Sequence, residues 1–334
     1  MERMALFQAD SDGLGYERYR IPGIVATERG TLLACCEARK NAGDWSAMDI
    51  VIRRSADGGA SWSENRALAR GLAEGATMNN PVLLAEGGVV HLLFCREYGV
   101  ARRGGGVFHM RSGDDGLSWS GPRDISAGTH PANYTRNVFA CGPGHGLAHS
   151  SGALLCPVWM TTGEPGSQLH RPSDAAALYS LDHGETWRTG EVIRSTGGIP
   201  NMSECSAVEL SDGRVLLNIR NESPKRRRAF AVSSNGYKHW SEPALDEALI
   251  DPVCYGSVAR YDENTILFCN AASGLARENL TLRRSHDDGR TWPEALTIDP
   301  GPAQYADVAV TGGTIYVLYE KSPNILLAKI GGEL

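Results

Sequence analysis

Short runs of apolar residues separated by polar, glycine-containing turns recur along the chain. Residues 19–27 and 31–39 are two such runs, joined by the turn Glu28-Arg29-Gly30. Runs of this length bounded by turn residues predict β-strands, and two runs joined by a short turn predict an antiparallel hairpin. No long stretch carries apolar residues at helical spacing. The pattern therefore predicts an all-β protein.

An eight-residue motif, Ser-x-Asp-x-Gly-x-Ser/Thr-Trp, follows these strand-like runs. It occurs at residues 55–62, 112–119, 180–187 and 285–292. A degenerate fifth copy at 233–240 has Asn in place of Asp and Tyr237 at the glycine position. The Asp side chain can accept hydrogen bonds from backbone amides just ahead of it, and the Gly can adopt positive φ. The Trp can pack into the core. Each copy is predicted to be a turn between two strands.

The spacing of the motif predicts the architecture. The copies start at residues 55, 112, 180, 233 and 285, so successive copies lie 52 to 68 residues apart. Four short strands with their turns occupy this length, which is the size of one propeller blade. A chain of 334 residues holds about six such units. We expect a six-bladed β-propeller with four-stranded antiparallel blades, and, because no linker interrupts the repeats, a single domain over residues 1–334.

Charge and composition narrow the function. The net charge of −6 argues against a general binder of nucleic acid or of membrane surfaces, since both need a basic field. An anion site must therefore be a local concentration of arginine. No segment is long enough to span a membrane, and the N-terminus lacks a signal-peptide core. A cytoplasmic location is expected, or a secreted, periplasmic or lysosomal one if a signal peptide was removed.

Charged residues cluster at one end of the predicted hairpins. Arg20 opens the first hairpin, and Glu37 and Arg39 end its return strand, so an antiparallel pairing brings them together. In the loop that follows, Asp44 is either an Asx-turn residue or a functional acid. In a later hairpin Glu204 precedes the first strand and Arg220 ends the second, with Glu209 as the competing acid.

The tripeptide Arg20-Ile21-Pro22, followed by repeats of the eight-residue motif, which we call the box, resembles the sialidase (neuraminidase) family of glycoside hydrolases. Residues 37–40 and 316–321 are similar to the animal lysosomal-type branch of this family and its bacterial relatives. The resemblance implies a retaining exo-α-sialidase that removes terminal sialic acids from glycoconjugates or oligosaccharides through a tyrosyl intermediate. Alternatives are a trans-sialidase, a hydrolase of a deaminated nonulosonic acid, and a non-catalytic glycan-binding propeller. No nucleic-acid partner is expected, and the oligomeric state stays open.

The resemblance also implies roles for individual residues. The catalytic residues would be Asp44 as acid and base, Glu204 as the base for the nucleophile, and Tyr305 as the nucleophile. The residues expected to bind substrate or to hold a binding residue are Arg20, Arg220, Arg277, Arg39 and Glu320, with a sugar pocket formed by Met78, Asn79 and Trp159. Arg277, ahead of its strand, matches the third arginine of the family, whereas Arg283, within the strand, is interpreted as a structural ion-pair residue.

This residue set has a physical logic. Two guanidinium groups about 6 Å apart repel by about 3 kcal/mol at an effective dielectric of 20, so a cluster of three arginines indicates an anionic ligand such as a sugar carboxylate. A phenol with a pKa near 10 needs a neighbouring base to act as a nucleophile. No cluster has metal-ligand spacing, so neither a metal nor another cofactor is expected.

Overall fold

The computed structural model describes residues 1–10, 13–97, 106–130, 138–161 and 170–331. The apolar runs are strands, and the two helices found in these ranges have only four residues each, α1 (Gly71–Glu74) and α2 (Ser126–Thr129). The strands of the first half are β1 (Glu2–Phe7), β2 (Arg18–Ala26), β3 (Leu32–Arg39), β4 (Met48–Ser55), β5 (Arg66–Arg70), β6 (Thr77–Glu86), β7 (Val89–Glu97), β8 (Gly106–Ser112), β9 (Arg123–Asp124), β10 (Phe139–Cys141), β11 (Gly144–His145), β12 (Leu147–Ala148) and β13 (Leu154–Thr161). Those of the second half are β14 (Ser173–Ser180), β15 (Arg188–Thr189), β16 (Cys205–Glu209), β17 (Val215–Ile219), β18 (Arg227–Ser233), β19 (Ala244–Ile250), β20 (Ser257–Arg260), β21 (Ile266–Ala271), β22 (Glu278–Ser285), β23 (Glu294–Pro302), β24 (Ala306–Thr311), β25 (Thr314–Lys321) and β26 (Asn324–Ile330).

The all-β class with antiparallel four-stranded sheets is confirmed, but the prediction of six blades is wrong. Four sheets have the four-strand path of a propeller blade: β1-β26-β25-β24, β10-β13-β14-β15, β16-β17-β18-β19 and β20-β21-β22-β23. The strands from β2 to β9 instead belong to one nine-stranded sheet, together with β11. The described residues therefore form a propeller arrangement with four separate blades.

One contact between β4 and β6 is the reason for the nine-stranded sheet. Met48 at the start of β4 pairs in parallel with Thr77 at the start of β6. The Thr77 hydroxyl donates to the Ser46 carbonyl at 2.8 Å, which ties the preceding loop to the same point. A pairing of one residue leaves no trace in the period of the hydrophobic pattern, so the spacing of the boxes could not reveal it.

The boxes are the predicted turns. In the third copy, between β14 and β15, Asp182 Oδ1 accepts the Thr186 N–H at 2.8 Å and Asp182 Oδ2 accepts the Thr186 hydroxyl at 2.6 Å. The Ser180 hydroxyl donates to Asp182 and accepts the Gly184 N–H, each at 2.8 Å. Gly184 has a φ of 83°, which a residue without a Cβ adopts at little cost.

In the degenerate fifth copy, the residue with positive φ comes one position earlier than the motif predicts. Gly236, and not Tyr237, takes the glycine role, with a φ of 83° and an N–H that donates to the Ser233 hydroxyl at 2.9 Å. Asn235 Oδ1 replaces the Asp oxygen and accepts the Lys238 N–H at 2.9 Å. The sheet that carries this copy keeps the four-strand order β16-β17-β18-β19, with one register shift between Arg227 and Ala229.

Strands β6, β2, β24, β20 and β16 contact one another in this order. β2 contacts β6 and β24, and β20 contacts β16 and β24, so apolar clusters fill the space between sheets. β4 begins beside the loop that contains Asp44 and ends at a box. The boxes therefore lie at the opposite end of the strands from Asp44. No helix in the described ranges is long and apolar enough to cross a membrane.

Candidate active site

Arg20 is placed by an irregularity in β2. The register of β2 on β3 shifts between Arg20 and Gly23, and Ile21 has a φ of 58°, which is unusual for a β-branched residue. The Ile21 N–H donates to Glu320 Oε1 at 2.8 Å, and Arg20 Nη2 donates to Glu320 Oε2 at 3.4 Å. The bulge begins directly after Arg20, and the buried carboxylate of Glu320 holds the Arg20 side chain beside the cavity.

Glu37 and Arg39 form a second buried pair next to Arg20. Glu37 is completely buried, and its Oε2 accepts the Arg39 Nε–H at 2.9 Å and a further bond from Arg39 Nη2. Glu37 Oε1 accepts the N–H of Asn80 at 2.8 Å. Asn80 has a φ of 52° and lies in a bulge of β6. Glu37 therefore binds the Nε and Nη2 nitrogens of Arg39, and the remaining nitrogen, Nη1, points toward the cavity.

Asp44 is bound by both arginines. Arg39 Nη1 donates to Asp44 Oδ1 at 2.7 Å, and Arg20 Nη1 donates to the same oxygen at 3.2 Å. The Asx turn of this loop is made by Asn41, whose Oδ1 accepts the Gly43 N–H at 2.9 Å. The side chain of Asp44 is 59% exposed, so its carboxylate faces the cavity and the Asx-turn interpretation does not apply to it.

Glu204, Arg220 and Tyr305 form a hydrogen-bonded triangle. Glu204 precedes β16 and Arg220 follows β17, and the Arg220 N–H donates to the Glu204 carbonyl at 3.0 Å. The Tyr305 hydroxyl donates to Glu204 Oε1 at 2.6 Å. Arg220 Nη1 donates to Glu204 Oε2 at 2.5 Å and to the Tyr305 oxygen at 2.9 Å. The competing acid, Glu209, lies at the far end of β16 and accepts the Ser150 N–H at 2.9 Å.

Arg277 lies next to the ring of Tyr305. It donates to the Gln304 side chain and to the Val253 carbonyl, each at 3.2 Å. Its guanidinium carbon is 5.4 Å from the centroid of the Tyr305 ring, and that of Arg20 is 5.5 Å away. Arg283 instead donates to Asn270 within its own sheet, at 3.3 Å. The predicted arginines Arg20, Arg220 and Arg277 thus surround one tyrosine.

The electrostatics of the site keep Tyr305 protonated and Asp44 ionised. Burial, together with the charge of Glu204, raises the pKa of the Tyr305 hydroxyl well above its usual value, against the opposing charge of Arg220. Partial burial acts to raise the pKa of Asp44, but the hydrogen bond and charge of Arg39 and the charge of Arg20 outweigh it and lower that pKa. Tyr305 can therefore lose its proton only to a base in direct contact.

An open cavity of about 200 Å³ joins these residues. It is lined by Arg20, Asp44, Glu204, Arg220, Arg277 and Tyr305, and by Trp159. An adjoining lobe of about 100 Å³ is lined by Arg39 and Asn79. Met78 does not line either lobe, because its side chain is buried in the apolar cluster that contains Ile50 and Phe94.

The sequence analysis missed His170. The His170 ring stacks on Trp45 with centroids 5.4 Å apart and meets Trp159 edge-on at 5.8 Å, and it lines both lobes. Burial lowers the pKa of His170, against the charges of Asp44 and Glu204. No periodicity marks this residue. Within the described ranges no group of three or more His, Cys, Asp or Glu residues could hold a metal ion.

Comparison with known proteins agrees with the fold and the boxes. Residues 30–317 match the BNR repeat-like domain. The chain is 33% identical over 353 aligned positions to a sialidase of Micromonospora viridifaciens, covering 95% of this chain and 53% of that protein. The solved Hadza microbial sialidase Hz136 superposes with a TM-score of 0.87 at 25% identity, over 98% of this chain and 68% of that one.

A second solved structure is more distant in sequence. Trypanosoma rangeli sialidase in complex with 2,3-difluorosialic acid, described as a covalent intermediate, has a TM-score of 0.79 at 19% identity, over 98% of this chain and 58% of that one. At this identity the likeness shows the fold alone. The fold and the repeated turns define a BNR-repeat protein. Within that class, the chain belongs to the sialidase family. It spans about half the length of the Micromonospora relative.

Proposed function

We propose that the chain is a retaining exo-α-sialidase that hydrolyses terminal sialic acids of glycoconjugates or oligosaccharides through a covalent bond to Tyr305. The proposal depends on the 2.6 Å hydrogen bond from the Tyr305 hydroxyl to Glu204. Three arginines line the same cavity as this pair. A phenol next to a carboxylate base is an activated nucleophile. A neutral phenol also approaches a carbon that bears a carboxylate with less repulsion than an Asp or Glu nucleophile would.

The arginines account for the substrate. Arg20, Arg220 and Arg277 line one cavity, and the carboxylates of Glu320 and Glu204 neutralise the first two in part. A substrate carboxylate offers bidentate hydrogen bonds to the remaining guanidinium nitrogens. Each charge-assisted bond contributes about 1.5–3 kcal/mol. A sugar whose anomeric carbon carries a carboxylate meets this requirement, and sialic acid is such a sugar.

In the first half of the reaction, Tyr305 attacks the anomeric carbon. As the phenol oxygen forms its bond to carbon, its proton passes to Glu204 Oε1. The bond from the anomeric carbon to the glycosidic oxygen breaks, and a protonated Asp44 gives its proton to the leaving oxygen. Binding of the substrate carboxylate to Arg20 would draw one cation away from Asp44 and favour the protonated form that this step needs.

In the second half, water attacks the same carbon on the face that the leaving group vacated. Asp44, now a carboxylate, accepts a proton from the water. The bond from carbon to the Tyr305 oxygen breaks, and Glu204 returns the proton to that oxygen. Two displacements at one carbon give net retention of configuration.

The test compares matched tyrosine variants. Wild type should release fluorophore from the 4-methylumbelliferyl α-glycoside of N-acetylneuraminic acid, and Tyr305→Phe should lose most of this activity. Tyr255→Phe is the control, because it removes the hydroxyl of a buried tyrosine whose ring centroid is 5.8 Å from that of Tyr305. Mass spectrometry after treatment with 2,3-difluorosialic acid should find the sugar on Tyr305. An adduct on Glu204, or inversion seen by NMR, would refute the tyrosyl mechanism.

A second candidate function is transfer of the sugar to another glycan. The observation that favours it is the aromatic group of Trp45, His170 and Trp159 beside Asp44, on which an acceptor sugar could stack. Incubation with 3'-sialyllactose and a labelled acceptor, followed by product analysis, separates the two functions. We expect free sialic acid to dominate. A transfer product in excess over free sialic acid would favour a trans-sialidase.

A further inference from the structure

The same three-part arrangement occurs twice among the residues that the structure describes. In each copy a bulge residue with positive φ donates its N–H to a buried glutamate, and that glutamate binds an arginine. In the first copy Ile21 donates to Glu320, which holds Arg20. In the second copy Asn80 donates to Glu37, which holds Arg39. Both N–H bonds are 2.8 Å long.

The two arrangements meet at Asp44. Arg20 and Arg39 both donate to Asp44 Oδ1, and Arg39 makes the shorter bond, at 2.7 Å against 3.2 Å. Glu37 does not itself contact Asp44 among the described hydrogen bonds, but it receives the Nε and Nη2 donors of Arg39 and so leaves Nη1 to point at Asp44. We propose that Glu37 is a positioning residue that acts through Arg39 to set the protonation state of Asp44.

The charged groups around Asp44 and Glu37 decide in which direction Glu37 shifts the titration of Asp44. Asp44 faces Arg20 from β2, Arg39 from β3 and the His170 ring. Glu37 faces Arg39 and, further away, Arg20. Burial raises the pKa of Glu37, against the charge of Arg39 and the hydrogen bonds from Arg39 and the Asn80 N–H. The three hydrogen bonds that the Glu37 carboxylate accepts favour its ionised form, and that negative charge offsets part of the cationic charge that Asp44 feels. Without it, Arg39 keeps only Asp44 as an anionic partner, and the ionised form of Asp44 is stabilised further.

Glu37→Gln should therefore move the titration of Asp44 to lower pH, by about one unit or less. The measurement is the ¹³C titration of carboxyl-labelled Asp, with the Asp44 signal assigned by its loss in Asp44→Asn. Glu37→Asp keeps the charge and should titrate close to wild type. Glu209→Gln removes a carboxylate at the opposite end of the strands and is the control for a general loss of negative charge.

A second variant protects the test against misfolding of Glu37→Gln. Arg39→Met removes the cation through which Glu37 acts, so it should move the titration of Asp44 to higher pH. An unchanged Asp44 titration in either folded variant overturns the proposal, as does an equal shift in Glu209→Gln. These titrations do not depend on catalysis, so they decide the role of Glu37 even if the proposed function fails.

The kinetic part rests on the proposed function. Hydrolysis of 3'-sialyllactose needs a protonated Asp44, so its kcat/KM should fall as pH rises through the pKa of Asp44. Glu37→Gln should move this fall to lower pH. The 4-methylumbelliferyl glycoside has a leaving group that needs little protonation, and its profile should move less. Equal changes for both substrates would indicate a purely structural role for Glu37, whereas a wild type inactive on both would refute the proposed function instead.

Discussion

Two buried histidines, His91 on β7 and His109 on β8, should make the stability of the protein fall in weak acid. Their rings stack with centroids 5.2 Å apart, and His91 Nδ1 lies 2.9 Å from His109 Nε2. Arg123 Nη2 lies 3.1 Å from His109 Nδ1. Since a guanidinium can only donate, His109 Nδ1 must be the acceptor, and the proton of His109 is on Nε2 and points at His91. This geometry requires both rings to be neutral.

The pKa values follow from this geometry. Burial, with the charges of Arg111 and His183 and against that of Glu86, lowers the pKa of His91 to about 4. Burial, with the charges of His91, Arg123 and Arg111, lowers the pKa of His109 to about 3. In the unfolded chain both would titrate near 6.5. The stability that the neutral pair contributes is complete above pH 6.5 and is lost as pH falls toward 4 and then 3, because only the unfolded chain takes up the protons.

The magnitude can be worked out for a fall from pH 7.5 to pH 5. The unfolded state gains about 1.5 pH units of protonation free energy per histidine at 1.36 kcal/mol per unit, while the folded state gains almost none. The loss is about 2 kcal/mol for each ring and about 2–4 kcal/mol for the pair, since their titrations are coupled.

Urea unfolding at the two pH values measures this loss directly. The drop in unfolding free energy between pH 7.5 and pH 5 should be about 2–4 kcal/mol smaller in the double variant His91→Gln, His109→Gln than in wild type. His239→Gln, at an exposed position, controls for the removal of a histidine and should behave like wild type. Equal drops in wild type and the double variant would refute the assignment of neutral buried rings.

Three further predictions concern the site and the turns. Asp44→Asn should lower kcat/KM on 3'-sialyllactose by about 10²–10⁴-fold but lower it much less on the 4-methylumbelliferyl glycoside, and equal losses would contradict the acid role. Arg277→Met should lower kcat/KM about 10- to 100-fold through lost charge-assisted bonds, whereas Arg283→Met should leave it near wild type; similar losses in both would argue against a distinct role for Arg277. Asp182→Ala, which breaks the turn bonds to Ser180 and Thr186, should lower the thermal midpoint without changing kcat/KM, and an activity loss in folded protein would show that the box affects the cavity.

The sequence was most informative where chemistry depends on a hairpin. Glu204 before one strand and Arg220 after its partner must meet at one end of an antiparallel pair, and the structure joins them by an N–H to carbonyl bond of 3.0 Å. The same argument brought Arg20, Glu37 and Arg39 together, and the register pairs Arg20 with Glu37. The roles of these residues stay predictions, but their proximity followed from strand order.

The sequence was least informative where contacts are not periodic. The single pairing of Met48 with Thr77 merges strands that the box spacing treated as separate blades. Met78 was placed in the sugar pocket by resemblance, but its position in β6 turns it into the core. His170 reaches the cavity from a loop position, where neither a hydrophobic period nor a turn motif predicts side-chain direction.

Non-glycine residues with positive φ occur at both ends of the strands, but they have different roles at the two ends. At the end that carries Arg20, three residues with positive φ, Ile21, Asn80 and Val253, each provide a backbone group to the site: two N–H groups to buried glutamates and one carbonyl to Arg277. Such conformations cost about 1–3 kcal/mol each and persist only where the surroundings enforce them. The boxes at the other end supply rigid, hydrogen-bonded turns with buried or half-buried tryptophans. Positive φ in the boxes, as at His183 and Asp288, serves the turn itself, whereas at the cavity end it places backbone groups of β2 and β6 on the glutamates that hold Arg20 and Arg39.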